Sequence, residues 1–235
     1  MLCKIADLLV EVPEAGGLTP LLEDYRCQTV SPPDLVIREE KYRTYAKRGM
    51  SDLAYAYTES AAQFHANVVF HSGMMLHASA VACNGRAYLF SGPCGVGKST
   101  HTRLWQKLLG EEALIFNDDK PTLRYLDGLW YAYGTPWSGK HCININMRAP
   151  VAGICFLQQS EENRIRRLTA QEALPMVISQ TLYRFRNQDR TRLMMGMVDR
   201  LLRDVPMFLL ENKPDVTAAA LSYQTLTAFE ESRHG

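Results

Sequence analysis

Residues 91–105 read SGPCGVGKSTHTRLW. Within them Gly92-Pro93-Cys94-Gly95-Val96-Gly97-Lys98-Ser99 fits GxxxxGK[ST], a loop whose glycines let backbone N–H groups turn inward on phosphate oxygens. Lys98 adds a charge over the β and γ phosphates of a nucleoside triphosphate, and the Ser99 hydroxyl can ligate Mg²⁺. The motif needs a strand before it and a helix after it. Both are predicted here, the helix running from Lys98 to Leu109 and stopping at Gly110. A glycine turn that merely caps a helix is the bland alternative, and the flanking elements count against it. Candidate nucleotide contacts are therefore Gly92, Pro93, Cys94, Gly95, Val96, Gly97, Lys98, Ser99 and Thr100. Cys94 suits a tight turn by its small size, although a helix N-terminus can also activate a thiol.

The loop is fed by MLHASAVACNGRAYLFSG, residues 75–92. Two extended runs flank Asn84-Gly85, the pair favoured in a two-residue hairpin where both central residues need positive φ. An antiparallel hairpin therefore delivers the chain into the loop, unlike the parallel crossovers of the ordinary phosphate-loop fold. Downstream, ALIFNDD reads as a buried strand, PTLRYLDGLWYAYG as a hairpin turning at Asp127-Gly128, and VAGICFLQQ as another buried strand. The rest reads as helical: Thr169 caps AQEALPMVISQTL in spite of Pro175, a helix spans about Arg190 to Arg203, and another follows Pro214-Asp215, with the short strand MFLLE between. Upstream, Ser51 caps a helix over SDLAYAYTESAAQFHANVVFHSG that Gly73 can end, and residues 1 to about 50 hold a few short strands. The expected class is α/β with a mixed, partly antiparallel sheet and C-terminal helices. Residues 1–70 are expected to pack on the core, with substrate docking as their candidate role, and residues 71–235 to form the catalytic domain.

Two carboxylates, Asp118 and Asp119, end the strand FNDD, at the edge where ligands of α/β sheets bind. One can hold Mg²⁺ while the other takes the proton of an attacking hydroxyl. The alternative reading makes one of the pair only a cap for the turn into Pro121. His77 lies on the strand antiparallel to the one entering the loop, within reach of the γ phosphate or the metal; alone it is more often a structural histidine.

The segment LHASAVACNGRAYLFSGPCGVGKST, followed by ALIFNDD, resembles the catalytic domain of HPr kinase/phosphorylase and, more distantly, the nucleotide domain of ATP-dependent phosphoenolpyruvate carboxykinase. SGPCGVGKSTHTRLW, NDDKP, YGTPWSGK and FLQQSEEN are similar to bacterial HPr-kinase-related proteins, some of which phosphorylate a serine of a modified-peptide precursor. The resemblance covers about residues 74–160. It implies ATP and Mg²⁺ as cofactors, Asp118 as proton acceptor, His77 as support for Asp118 or for the metal, Lys98 as the catalytic lysine, and Ser99 with Asp119 on the metal. Against the family pattern, no counterpart of its separate N-terminal domain is expected within these residues. The chain also carries YAYGTPWSGKHCININ where a glutamate-containing, glycine-rich signature stands, which points away from HPr as acceptor and from the reverse phosphorolysis.

In GTPWSGK, Trp137, Ser138, Gly139 and Lys140 form a candidate substrate loop, since Pro136 and Gly139 exclude a regular element and Lys140 and His141 bring charge. A purely structural corner is the alternative. Asn144 and Asn146 alternate beyond it, facing the site or an edge. Arg184, Arg186, Arg190 and Arg192 read as a solvated face or as a phosphate clamp, and Met194, Met195 and Met197 as core or a contact.

With 26 basic and 25 acidic residues, the chain has no polybasic field for nucleic acid. The N-terminal apolar run meets Glu11 and Glu14 too soon for a signal peptide or membrane span, so no membrane partner and a cytoplasmic location are expected. Six scattered cysteines without a CxxC pair read as reduced thiols. The expected activity is transfer of the ATP γ-phosphate to a hydroxyl, serine in a peptide or protein first. The alternatives are a small-molecule hydroxyl kinase and a non-catalytic nucleotide-binding regulatory module. The resemblance to HPr kinases, which are oligomers, makes a homo-oligomer a candidate assembly.

Overall fold

The computed structural model describes residues 1–14, 16–39, 50–181 and 188–234. Residues 40–49 and the arginines Arg184 and Arg186 lie outside them. The strands are β1 (Leu2–Ile5), β2 (Leu8–Glu11), β3 (Leu35–Val36), β4 (Gly73–Met75), β5 (Ala78–Cys83), β6 (Arg86–Ser91), β7 (Leu114–Asp119), β8 (Thr122–Leu126), β9 (Leu129–Tyr133), β10 (Arg148–Gln159), β11 (Arg164–Arg167) and β12 (Met207–Asn212). The helices are α1 (Thr19–Leu22), α2 (Asp52–Asn67), α3 (Lys98–Leu109), α4 (Ala170–Gln180), α5 (Gln188–Asp204) and α6 (Val216–His234).

Both hairpins turn where Asn-Gly and Asp-Gly place them. Asn84 and Gly85 have φ of 51° and 71°, and Asp127 and Gly128 have 51° and 84°. The hairpins join a mixed nine-stranded sheet in the order β4-β8-β9-β10-β6-β5-β7, with β12 beside β10 and β11 beside β12. Long β10 bends this sheet: its first residues pair antiparallel with β9, and its remainder runs parallel to β6 and β12. The class is therefore mixed α/β with C-terminal helices.

Strand direction decides where a ligand can sit. β6, β10 and β12 are parallel, and β7 shares their direction because both it and β6 are antiparallel to β5. Their carboxyl ends and the start of β5 thus meet at one rim. The register makes this concrete, with Ala78 opposite both Ser91 and Asp119, and Ser79 opposite Asp118.

Alternation along the strands buries both faces. Val81, Tyr88, Phe90 and Cys155 pack on Trp105 of α3 and on Ala219 and Leu226 of α6. Ala80, Leu89, Ile154 and Phe156 face Val177 of α4 and Met194, Val198 and Leu201 of α5. Helix α4 starts at a capping box, in which the Thr169 hydroxyl accepts from the Glu172 N–H while the Glu172 carboxylate accepts from the Thr169 N–H.

The small sheet β1-β2-β3 shares a core with α2 and with Tyr133 and Trp137. The Tyr133 hydroxyl donates to Asp7 (2.9 Å), Arg124 to the Ala6 carbonyl (2.8 Å), and the Tyr25 hydroxyl to Asn144 (2.8 Å). The N-terminal part is thereby fastened to the β8–β9 hairpin. Helix α2 is capped by Ser51 as expected but ends at Asn67, and Gly73 opens β4 instead of stopping a helix. At Gly73 an added Cβ would lie 2.6 Å from the Val68 side chain, so packing, not helix termination, demands the glycine there.

Candidate active site

The glycine-rich loop leaves β6 at Ser91 and ends on the first turn of α3. Gly92, Gly95 and Gly97 take φ of 145°, 82° and 107°, conformations that only glycine adopts without strain. The unpaired N–H groups of the first α3 turn and the helix dipole both favour an anion at this point. Lys98 folds back on the loop, donating to the carbonyls of Gly92 (2.9 Å) and Pro93 (3.1 Å). Burial lowers its pKa, with Asp119 and Asp118 pulling the other way. Ser99 and Thr100 follow on the helix, which Thr102 ties to β5 through the Ser79 hydroxyl at 2.8 Å.

A cleft of about 480 Å³ joins this loop to the other candidates. His77, Cys94, Lys98, Ser99, Asp118, Asp119, Gly139 and Lys140 all line it. His77 is gripped from α4: its N–H donates to the Gln180 carbonyl (2.8 Å), and its Nδ1 meets Gln180 Oε1 at 2.9 Å. Its Nε2 lies 3.2 Å from Asp119 Oδ1, and Lys120 pairs with the other Asp119 oxygen. Burial pushes the Asp119 carboxyl up, but the hydrogen bonds from His77 and Lys120 with the Lys120 charge outweigh it and hold the group at about 2. Asp118 differs. It is 5 % exposed, and among the described residues neither of its oxygens has a hydrogen-bond donor.

Asn117 shapes the turn that presents these acids. Its Oδ1 accepts from the N–H groups of Lys120 (2.9 Å) and Asp119 (3.3 Å), while its amide donates to the Thr135 carbonyl (2.9 Å). The segment after β9 lies over the end of β7, with Gly139 against Asp119: a Cβ added there would stand 2.8 Å from the Asp119 Cβ.

The candidate substrate loop divides in two. Gly139, Lys140 and His141 line the cleft, but the Trp137 and Ser138 side chains are 1 % exposed and point inward, which corrects their placement on a substrate-facing surface. The Trp137 indole packs on Phe64 (4.8 Å between centroids) and His65 (5.5 Å), and its N–H donates to Ser60 Oγ at 3.0 Å. Ser138 Oγ accepts from Asn144. Asn144 and Asn146 face the N-terminal part, bonded to Tyr25 and to the Asp24 carbonyl, and not the cleft. Arg190 donates to Asn67 of α2 and lies over Phe70. Met194 is core, whereas Met195 is exposed.

Lys120, Asn117 and Gln180 were not singled out in the sequence. Lys120 stands within NDDK and was open to notice, whereas Gln180 is 103 residues from His77 and carried no local signal. Cys3, Cys83 and Cys155 are buried, Cys94 and Cys142 exposed, and all are free thiols. No helix among the described residues is long and apolar enough to cross a membrane.

No curated protein matches the sequence. Among solved structures, the HPr(Ser) kinase/phosphatase from Coxiella burnetii aligns over 68% of this chain and 99% of its own at 11% identity, with a TM-score of 0.42. That similarity is too low to transfer a fold or an activity. The family model of the SynChlorMet cassette protein ScmC matches residues 55–214, from within α2 through the glycine-rich loop, both aspartates and β12. The chain belongs to the ScmC family.

Proposed function

We propose that this protein is a kinase that transfers the γ-phosphate of ATP to a hydroxyl, with a serine of a peptide or protein as acceptor. The observation that carries this reading is the convergence of Lys98, Ser99, His77, Asp118 and Asp119 on one open cleft. The glycine-rich loop and the α3 N-terminus supply N–H donors for the phosphates, and Lys98 exchanges its loop carbonyls for phosphate oxygens. Asp118 accepts the proton of the acceptor hydroxyl, since no protein donor among the described residues occupies its carboxylate. His77, fixed by Gln180, anchors Asp119.

The residues present fit Mg²⁺. No group of three or more His, Cys, Asp or Glu that could cage a metal occurs among the described residues. Mg²⁺ needs none, since it takes one or two protein ligands and fills its shell with phosphate oxygens and water. Ser99 and Asp119 would hold it, and the low pKa of Asp119 keeps that carboxylate ionised. When bound, the ion neutralises charge on the transferring phosphate.

A peptide is preferred to a metabolite as acceptor on the resemblance of SGPCGVGKSTHTRLW and NDDKP to HPr-kinase-related proteins, some of which phosphorylate a serine of a modified-peptide precursor. The test is transfer of γ-labelled phosphate from Mg·ATP into an extract of the source cells, separated by size, with Lys98→Ala and Asp118→Asn run beside the native protein. A labelled peptide or protein band absent from both variants supports the kinase. Label only in small molecules moves the acceptor to a metabolite, and tight nucleotide binding without transfer makes the protein a regulatory module.

A further inference from the structure

We propose that the acceptor is an acidic peptide, with Asp or Glu beside its serine, and that Arg103, Lys140 and His141 receive those carboxylates; this rests on the kinase reading above. The three line the same cleft as Lys98, Ser99 and Asp118. All three are solvent-exposed, and among the described residues none of them holds a salt bridge or a hydrogen bond through its side chain. Arginines elsewhere find carboxylates in their own chain: Arg148 pairs with Asp7, Arg166 with Glu172 and Arg203 with Asp199.

The cations stand on two separate walls. Arg103 comes from α3, one helical turn past Ser99 on the same face and about 6 Å further along the axis from the end that receives the phosphates. Lys140 and His141 come from the turn over the end of β7. Just before them, the Gly139 N–H donates to the Tyr57 hydroxyl of α2 at 2.9 Å. Just after them, Cys142 closes the turn at a φ of 51°, its N–H on the Gly139 carbonyl (3.4 Å). The backbone of this wall is thus held from α2 while its two basic residues line the cleft.

The acids of the cleft do not balance these charges. They are Asp118 and Asp119, and both Asp119 oxygens are engaged, by His77 and by Lys120. The nucleotide has its own partners in the loop N–H groups, Lys98 and Mg²⁺, and Asp118 serves the acceptor proton. Arg103 and Lys140 remain as uncompensated charge, with the His141 imidazole as a further donor, in a chain whose formal net charge is only +1. A cleft concentrates such a field on an approaching anionic segment, and an arginine can grip a carboxylate with two parallel N–H bonds. A basic segment meets like charge instead.

Positional-scanning serine peptides test this; each pool fixes one residue at one position beside a central serine and leaves the other positions degenerate. With γ-labelled Mg·ATP and the native protein, transfer is expected to be about threefold to tenfold greater into pools fixed as Asp or Glu at one or more positions than into Asn or Gln pools, and lowest into Lys or Arg pools. Arg103→Glu and Lys140→Glu should each shift the preference toward basic pools, while calorimetric affinity for a non-hydrolysable Mg·ATP analogue stays within about threefold of native. Equal transfer into acidic, neutral and basic pools, or transfer into none, overturns the acidic acceptor and, with the analogue still bound, leaves the nucleotide reading standing. A fall in analogue affinity that matches the loss of transfer in Arg103→Glu overturns the assignment of Arg103 and gives it to the nucleotide. Failure of the analogue to bind the native protein defeats both proposals. The pools on the native protein decide the acceptor chemistry even if a variant does not fold.

Discussion

Replacing Trp137 by alanine should unfold much of what holds the cleft together, and the cost follows from its surroundings. A tryptophan brings about 200 Å² of largely apolar surface, which at about 25 cal/mol/Å² corresponds to about 5 kcal/mol as an upper bound. The side chain is 1 % exposed, packed at a tilt against Phe64 and edge-on to His65, and its indole N–H donates to Ser60, a bond that adds about 1 kcal/mol. Partial relaxation around the cavity brings the expected loss to about 3–5 kcal/mol. Trp137→Phe keeps most of the packing but removes the indole donor. Ser60 retains its own bond to the Tyr57 carbonyl, so this variant should lose about 1–2 kcal/mol. Urea unfolding followed by far-ultraviolet circular dichroism measures both, with a lowered midpoint at unchanged slope. Stability of Trp137→Ala within about 0.5 kcal/mol of the native protein would refute the packing account and return the indole to the substrate surface.

Three further outcomes are expected. Burial depresses the His65 pKa to about 3 and that of His101 to about 4, from 6.5, so the fold favours their neutral forms. Their stabilisation is complete above pH 6.5 and drains as pH falls, by about 2 kcal/mol from each at pH 5; Asp119 adds its share only below 3.8. Urea midpoints between pH 7.5 and 4.5 check this, and a flat profile contradicts it. Gly139→Ala forces a side chain onto a φ of 72° and into the Asp119 carboxylate, so phosphate transfer should drop at least tenfold while nucleotide affinity, measured by calorimetry, changes little. Thr169→Ala removes one arm of the α4 capping box and should cost about 1 kcal/mol in the same urea assay.

How much was legible follows from which forces are local. Asn84-Gly85 and Asp127-Gly128 announced their hairpins because positive φ is a property of the residues themselves. The α3 boundaries and the caps at Ser51 and Thr169 were readable for the same reason. Asp118 and Asp119 fell at the sheet rim because an apolar strand must end where it meets solvent. Trp137 was misread because Pro136 and Gly139 signal a loop but not the direction of its side chains, which the N-terminal cluster around Phe64 decides. Strand β11, written Arg164-Ile165-Arg166-Arg167, has no apolar alternation and exists by pairing along the edge of β12. The grip of Gln180 on His77 arises from the packing of α4 against the sheet, a tertiary matter that no short window of sequence carries.

The most direct test of the central claim is a crystal structure with Mg²⁺ and a non-hydrolysable ATP analogue. The account predicts β and γ phosphates cradled by the N–H groups of residues 95–99, Lys98 Nζ moved from the Gly92 and Pro93 carbonyls onto phosphate oxygens, and Mg²⁺ held by Ser99 and Asp119. The γ-phosphate would face Asp118 across the cleft. An analogue bound away from the glycine-rich loop, or a γ-phosphate directed away from Asp118, would contradict it.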